Sequence, residues 1–468
     1  RPGMSATDDA NLTRPQFVGA KVARREDPRL LSGAGNYVAD IKRHGMLHLA
    51  FRRSDHAHAT ISAIDIEQAR ALKGVIAVYT GEDIAALANP YKATSRMKNY
   101  QATFIPPLAV GKVRYVGEAV VAVVAESRYV AEDALALIDI DYEPLMVLID
   151  PEESLKPDAP KLHDDLESNI LAEREFSRGE IDQAFGEAAA TVGGKFHFTR
   201  TTPVTIEARA AVAEYDKRAR SLTLHCTTQI PGILRDKLSE IFDLPGPRIR
   251  VIAPDVGGGF GGKTSLYSEE IVACAVSREL SKPIKWISDR MEDLMTTGHA
   301  FDETVYADIA VSDDGTILGL KADVIGDVGA YSIYPWTATI EPVQVVSFMP
   351  GPYRIENYSA RVRSVATNKT LTGAYRGVGR PISVFVMDRL LDMAARKIGV
   401  DPAEIRRRNL VNDDEFPYKA ASGLVWDKSA FQSCLREAAV GIGYDDLRRD
   451  QEIARSEGRW VGIGVASY

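Results

Sequence analysis

The apolar positions of this chain fall into short runs whose spacing keeps changing, and each change of rhythm marks an element. Two-residue alternation or continuous apolar character predicts strands at Met46–Phe51, Ala59–Ile64, Val75–Tyr79, Glu118–Ala125 and Ile138–Tyr142, because alternate side chains on a strand face opposite sides. Between them Asp65 precedes a predicted helix over Ile66–Leu72, and Ser127 precedes one over Arg128–Leu137. Each offers a side-chain oxygen to an otherwise unpaired amide of the first turn. Residues 30–145 therefore read as a mixed α+β domain, preceded by residues 1–29 as an extended, largely polar N-terminal segment.

From Glu143 to Asp165 the rhythm lapses. Pro144, Pro151, Pro157 and Pro160 stand among acidic residues, the composition of a long exposed connection, so residues 146–165 are taken as a Pro-rich linker. Beyond it Thr191–Phe198, Ala208–Glu214 and Leu222–Cys226 read as strands, and Ile233, Leu234, Leu238, Ile241 and Phe242 recur at helical spacing. Glu303 to Gly326 is again β, with Asp313-Asp314-Gly315 as a hairpin turn. Val384–Ile398 predicts a helix, and Asp401-Pro402 starts another with cap and first-turn proline in place. Residues 166–468 form the second region.

Composition narrows the classes. A chain of 468 residues has room for two to four domains. With 45% apolar and 26% charged residues it is an ordinary globular sequence, and no apolar run approaches the ~20 residues that a membrane helix needs. The first residues lack the apolar core of a secretory signal, and Arg1 to Gly3 read as a remnant ahead of a natural Met4. A formal charge of −8 argues against nucleic acid as partner. Cys226, Cys274 and Cys434 are too far apart for a CxxC site and odd in number, which suits a reducing cytoplasm. Three cysteines also mean that this chain does not by itself ligate an iron–sulfur cluster.

Candidate chemistry centres on Gly257-Gly258-Gly259-Phe260-Gly261-Gly262-Lys263-Thr264, set between the apolar run Ile249 to Ala253 and a predicted helix from Ser268 to Leu280. Backbone this bare can approach a ligand closely and present converging N–H donors, and the helix start favours negative charge. The loop fits the phosphate-binding pattern G-x-x-x-x-G-K-[ST]. Against a nucleotide hydrolase, no convincing apolar strand ending in a magnesium-binding Asp follows; Ile284 to Asp289 is a poor candidate. A purely structural glycine turn is the third reading.

Three separated segments, Thr227-Thr228-Gln229, the loop Gly257 to Lys263, and Gly373-Ala374-Tyr375-Arg376-Gly377-Val378-Gly379-Arg380-Pro381, together resemble the molybdopterin-binding large subunits of the xanthine oxidase and aldehyde oxidase family. The likeness extends through Val113 to Glu118, Glu207 to Asp216, Asp327 to Tyr331 and Arg406 to Leu410, in the family's order. The Ala-Tyr-Arg-Gly form is most similar to the second group of carbon monoxide dehydrogenase homologues. The resemblance implies an α/β hammerhead domain over residues 30–145 and the first part of a mixed α+β molybdopterin-binding region after the linker.

By the same resemblance, Gln229 is placed to hydrogen-bond an oxygen ligand of the metal, and Gly259, Phe260, Gly261 and Gly262 to pack against the cofactor. Ala374 and Arg376 stand beside it, the fixed guanidinium fork suiting anionic oxygens. Phe260, Thr264, Gln344 and Val378 are implied as substrate-pocket positions. Taken without the family, Gln229 is a surface residue, Phe260 a core aromatic and Arg376 half of a surface salt bridge. No protein metal ligand is implied, since a pterin holds the molybdenum. Gly377 stands where copper-binding relatives have cysteine, so a copper-bridged centre is not supported. Thr264 and Gln344 replace the glutamate and arginine of purine-oxidising relatives, which disfavours xanthine and leaves aldehydes, ketone-bearing compounds or N-heteroaromatics, with water as oxygen donor.

The family's general-base glutamate falls near the end of the large subunit, and the sequence ends at Tyr468, about where the second molybdopterin half would begin. No catalytic residue is therefore assigned. The expected cofactor is the molybdopterin cytosine dinucleotide form, and the expected partners are the second molybdopterin-binding half, either a separate chain or a part lost by cleavage or truncation, a small [2Fe–2S] subunit and a medium FAD subunit, assembled as a dimer of heteromers.

Overall fold

The computed structural model describes Phe17 and residues 19–468. Most of the expected extended start lies outside the described residues. Its described end is not wholly extended: Asp27–Leu31 forms a helical turn from which Arg29 pairs with Asp255 at 2.5 Å.

Two sheets organise the molecule. The first has seven strands in the order Ile249–Ile252, Ser221–Cys226, Ala210–Asp216, Ile284–Ile287, Leu47–Arg53, Ala119–Ala125, Val75–Tyr79. Strands from both sides of the connection over residues 146–165 thus share one ladder, joined where Leu47–Arg53 runs parallel to Ile284–Ile287. Ala119–Ala125 is buried along its whole length, which explains its continuous apolar run. Ser127 caps its helix as predicted, its Oγ accepting from Val130 N at 3.3 Å; Asp65 Oδ1 accepts from Glu67 N at 3.0 Å, but the helix there is Glu67–Ala71, one residue later, with Ile66 as its N-cap.

The second sheet runs Ile170–Arg178, Asn357–Ala366, Ile317–Gly329, Glu303–Val311, Ala190–Phe198. The hairpin turn at Asp313 to Gly315 is present, with Gly315 at φ +85°. The long helix Arg380–Ile398 covers this sheet with Ile382, Val386, Leu390 and Ala394. It starts four residues before the predicted Val384, because Pro381 fits the first turn, where no intrahelical donor is needed.

The Pro-rich connection is not an exposed tether. Leu148 and Leu162 are buried, Ser154 Oγ donates to Ala366 O at 2.8 Å, and His163 Nε2 lies 2.7 Å from Ala330 O. Its prolines stiffen a strap packed on the second sheet, and burial holds the His163 imidazole down to about 4, in its neutral form.

Candidate functional site

The glycine loop leaves the edge strand Ile249–Ile252 and enters the helix Ser268–Leu280. Gly258, Phe260 and Gly261 take φ of +96°, +48° and +104°, a left-handed path that turns the backbone outward. Two of the glycines permit contacts that a side chain would block. A Cβ on Gly259 would lie 2.3 Å from Gln229 Oε1, and one on Gly261 would lie 2.3 Å from Ala374 O.

The three segments predicted to act together do meet here. Gly261 N donates to Gln229 Oε1 at 3.1 Å, Gln229 N donates to Lys263 O at 2.8 Å, and Arg376 N donates to Phe260 O at 2.9 Å. With its oxygen held by Gly261, the Gln229 amide keeps Nε2 without a protein partner among the described residues. Gln229 and Arg376 are exposed, and the Phe260 ring is 47% exposed. The Arg376 guanidinium likewise makes no ion pair or hydrogen bond among the described residues.

Thr264 and Val378 lie just behind this surface. Thr264 Oγ1 donates to Gly261 O at 2.6 Å and accepts from Trp336 Nε1 at 2.9 Å. Val378 sits at φ +54° in the turn after Arg376. That turn rests on the helix Ile340–Phe348, because a Cβ on Gly379 would come within 2.4 Å of Val345 N. Gln344, on the same helix, has its Oε1 buried without a donor.

The phosphate-loop reading fails on three observations. Lys263 is only 2% exposed, and its Nζ donates to Glu207 O at 2.8 Å and lies 3.2 Å from Glu207 Oε2. It points into the protein, where burial lowers its pKa against the raising effect of Glu207. The following helix fills its own start: Glu270 Oε2 accepts from Tyr267 N at 2.9 Å, as an N-terminal carboxylate does. Asp289, the nominal magnesium ligand, caps the helix Arg290–Thr296 by accepting from Glu292 N at 2.7 Å.

The residues holding the loop were not apparent as a group in the sequence. Tyr267 donates to Gly262 O at 2.5 Å and accepts from Gly298 N at 3.0 Å. Beneath it the Arg209 guanidinium lies 3.9 Å from the Tyr267 ring centroid and 2.9 Å from Glu269 Oε2, and Arg53 reaches Glu269 Oε1 at 2.7 Å. Glu207, Arg209, Trp336 and Tyr267 look like ordinary polar or core residues in one dimension, and only their convergence identifies them.

The outward-facing donors suit an anionic ligand. Bare backbone, a free amide and an unpaired guanidinium face outward, while no cluster of His, Cys, Asp or Glu able to hold a metal ion occurs among the described residues. No helix among the described residues is long and apolar enough to cross a membrane.

Comparison with known proteins bears on this arrangement. Residues 162–410 match the molybdopterin cofactor-binding domain, and residues 32–146 match the a/b hammerhead domain of aldehyde oxidase and xanthine dehydrogenase. The carbon monoxide dehydrogenase large chain of Afipia carboxidovorans is 36% identical over 97% of this chain and 58% of its own length. The crystal structure of quinoline 2-oxidoreductase from Pseudomonas putida 86 superposes with a TM-score of 0.91 at 38% identity, covering 94% of this chain and 56% of that one. The chain thus spans somewhat over half the length of these relatives. The nicotinate dehydrogenase large molybdopterin subunit of Eubacterium barkeri, 28% identical over 92% of this chain, is instead matched over 99% of its own length.

Proposed function

The chain belongs to the molybdopterin-binding large subunits of the aldehyde oxidase and xanthine dehydrogenase family, and from that premise we propose that it forms one half of the cofactor site of a molybdenum hydroxylase. The single observation carrying this reading is the meeting of Gln229, Gly259 to Gly261 and Ala374 to Arg376 through the bonds Gly261 N to Gln229 Oε1 and Arg376 N to Phe260 O.

When bound, a molybdenum pterin supplies the two-electron oxidation that lets an oxygen from water enter the substrate. This chain's residues would hold and orient it. Gln229 Nε2 would be free to donate to an oxygen of the group, Arg376 would balance its negative charge with a rigid fork, and the bare loop from Gly259 to Gly262 would admit it at backbone distance. The Phe260 ring, already exposed, walls the pocket and excludes water.

The substrate proposed is an aldehyde, a ketone-bearing compound or an N-heteroaromatic. Two relatives named for quinoline and nicotinate favour the last, and Gln344 and Thr264 offer no charge to a purine. A copper-bridged centre is disfavoured further by backbone geometry. Gly377 lies at φ +102°, and a Cβ there would stand 2.8 Å from Pro381 Cγ, so cysteine does not fit without rearrangement.

The partners proposed are the second molybdopterin-binding half, which would bring the general-base glutamate, with [2Fe–2S] and FAD subunits to carry electrons away. The cofactor proposed is the cytosine dinucleotide form, and three unpaired thiols, two of them buried, support a reducing cytoplasm.

Metal and pterin analysis of the purified complex tests the proposal. Molybdenum and a pterin nucleotide should be present and should be lost from Gln229→Ala together with Arg376→Ala. An active preparation that contains neither would overturn it.

A further inference from the structure

Behind the turn Ala374 to Gly379 lies a pair of carboxyl groups to which nothing above gives a part. Glu303 opens the strand Glu303–Val311, and Glu341 stands in the first turn of the helix Ile340–Phe348; each is 1% exposed. Glu341 Oε1 accepts from Phe301 N, yet Oε2 of each glutamate is buried without a donor. The two side chains converge on one spot: a Cβ on Gly326 would lie 3.6 Å from Glu303 Oε1 and 2.3 Å from Cγ of Pro342, the residue after Glu341, while Glu341 Oε1 holds the amide of Phe301, two residues before Glu303. A proton carried by one therefore supplies the donor that the other lacks.

Among the described residues, the surroundings offer no unmatched cation to replace that proton. Arg200, beyond the strand Ala190–Phe198, pairs with Asp302 at 2.8 Å and Asp327 at 3.2 Å. Lys369, beyond the strand Asn357–Ala366, pairs with the same two carboxylates at 2.9 and 2.8 Å. His197 stands 4.0 Å from Asp302 and is half exposed. Two cations are thus matched by two carboxylates, and a doubly ionised Glu303–Glu341 pair would be buried without countercharge, which is strongly unfavourable. Burial raises both groups, with repulsion between them adding to Glu303, and Glu341 is pushed up to about 8.

Their position connects them to the cofactor-facing turn. Gly326 pairs with Glu303 across the ladder, and a Cβ on it would lie 2.3 Å from Pro342 Cγ, so the helix Ile340–Phe348 packs on bare strand. On its other side a Cβ on Gly379 would meet Glu341 O at 2.7 Å. Phe301, whose amide Glu341 holds at φ +68°, places its ring 5.6 Å from that of Tyr375. The helix is wedged between strand and turn at backbone contact, and Glu341 sits at the wedge.

We propose that Glu303 and Glu341 are a proton-sharing positioning pair: the proton held between them pins the helix Ile340–Phe348, and with it the turn Ala374 to Gly379 keeps the shape that receives the ligand. The purpose of that turn rests on the function proposed above; the shared proton does not, and it is read without any cofactor.

The test compares the wild-type protein with Glu303→Gln, Glu341→Gln and Glu341→Ala. Glutamine keeps the hydrogen bond but cannot ionise. At neutral pH, infrared spectra of the wild type should contain the carbonyl stretch of a buried protonated carboxyl, and each glutamine variant should lose it. Between about pH 6 and about pH 8 the wild-type Tm should fall by several degrees more than that of Glu341→Gln, because a buried carboxyl raised above its ordinary value loses stability as pH rises towards its folded pKa, and the variant lacks that contribution. Glu341→Ala should be less stable throughout, and Gln rescue of molybdenum retention at alkaline pH should separate positioning from bulk stability. A wild type without the band, or a glutamine variant that keeps both band and alkaline fall, overturns the proposal. If band and Tm behave as expected while no preparation holds molybdenum, the function proposed above fails and the shared proton stands.

Discussion

The main-chain N–H of Arg376 donates to the carbonyl oxygen of Phe260 at 2.9 Å, across a sequence separation that no local pattern bridges. That bond ties the glycine loop of one sheet's edge to the turn that opens the helix over the other sheet, so the shape of the candidate site depends on how the two sheets pack. The Arg376 side chain takes no part in it.

Arg376→Ala should therefore separate binding from folding. An exposed, unpartnered side chain contributes within about 0.5 kcal/mol to stability, so the Tm of the chain without cofactor should not move. Molybdenum retention should fall by roughly tenfold or more, since hydrogen bonds to charged groups are worth about 1.5–3 kcal/mol. Thermal melts beside metal analysis check both.

Gly259 and Gln229 should show coupling. Gly259→Ala drives a Cβ into the Gln229 side chain, 2.3 Å from Oε1, and should cost cofactor binding mainly by displacing that amide. In a Gln229→Ala background the same change should cost much less, and a double-mutant cycle should return a coupling of roughly 0.5–3 kcal/mol. Gly261→Ala has no such remedy. Its φ of +104° and the 2.3 Å approach to Ala374 O should destabilise the site by roughly 1–3 kcal/mol in either background.

Lys263→Ala should leave ATP hydrolysis unchanged, at a level indistinguishable from buffer, while lowering stability. Glu207 Oε2 would keep only the Gly257 amide, its donor at 2.6 Å, and removing one partner of a buried pair costs about 3–5 kcal/mol. A phosphate-release assay beside a denaturant melt distinguishes this from a nucleotide site.

Glu269 sets an acid limb on stability. Burial alone would raise its carboxyl, but Arg209 and Arg53 overcome that and hold it at about 2, below the usual 4.5. A depressed folded pKa contributes stability that is present above pH 4.5 and is lost as pH falls towards 2. Glu269→Gln should flatten that limb and, by leaving two buried guanidiniums short of charge, lower stability at neutral pH by about 3–5 kcal/mol. Urea midpoints measured across the acid range check the sign.

The reach of sequence reading follows from which interactions are local. The buried strand Ala119–Ala125 was legible because its apolar run needs no partner to be recognised, and the helix from Pro402 because Asp401 accepts from Ala403 N and Glu404 N within its own turn. The strands Ile170–Arg178 and Asn357–Ala366 were not foreseen. Their outward faces carry Glu173, Glu175, Arg361 and Arg363, and Arg361 meets Glu173 at 2.5 Å only after the strands pair. The helix Ile340–Phe348 was missed because Pro342, Val343, Val345 and Val346 argue against helix locally; packing between Gly326 and Gly379 overrides them.

By itself the sequence determined many of the strands and helices, their caps and the bare glycine loop, because periodicity, capping and backbone freedom act over a few residues. Only the tertiary structure decided that Lys263 is spent inward on Glu207, that the connection over residues 146–165 is a packed strap, and that Glu303 and Glu341 are both buried away from water. Those outcomes depend on burial and on which charges are left unmatched once the sheets close, and neither quantity exists until distant segments are brought into contact.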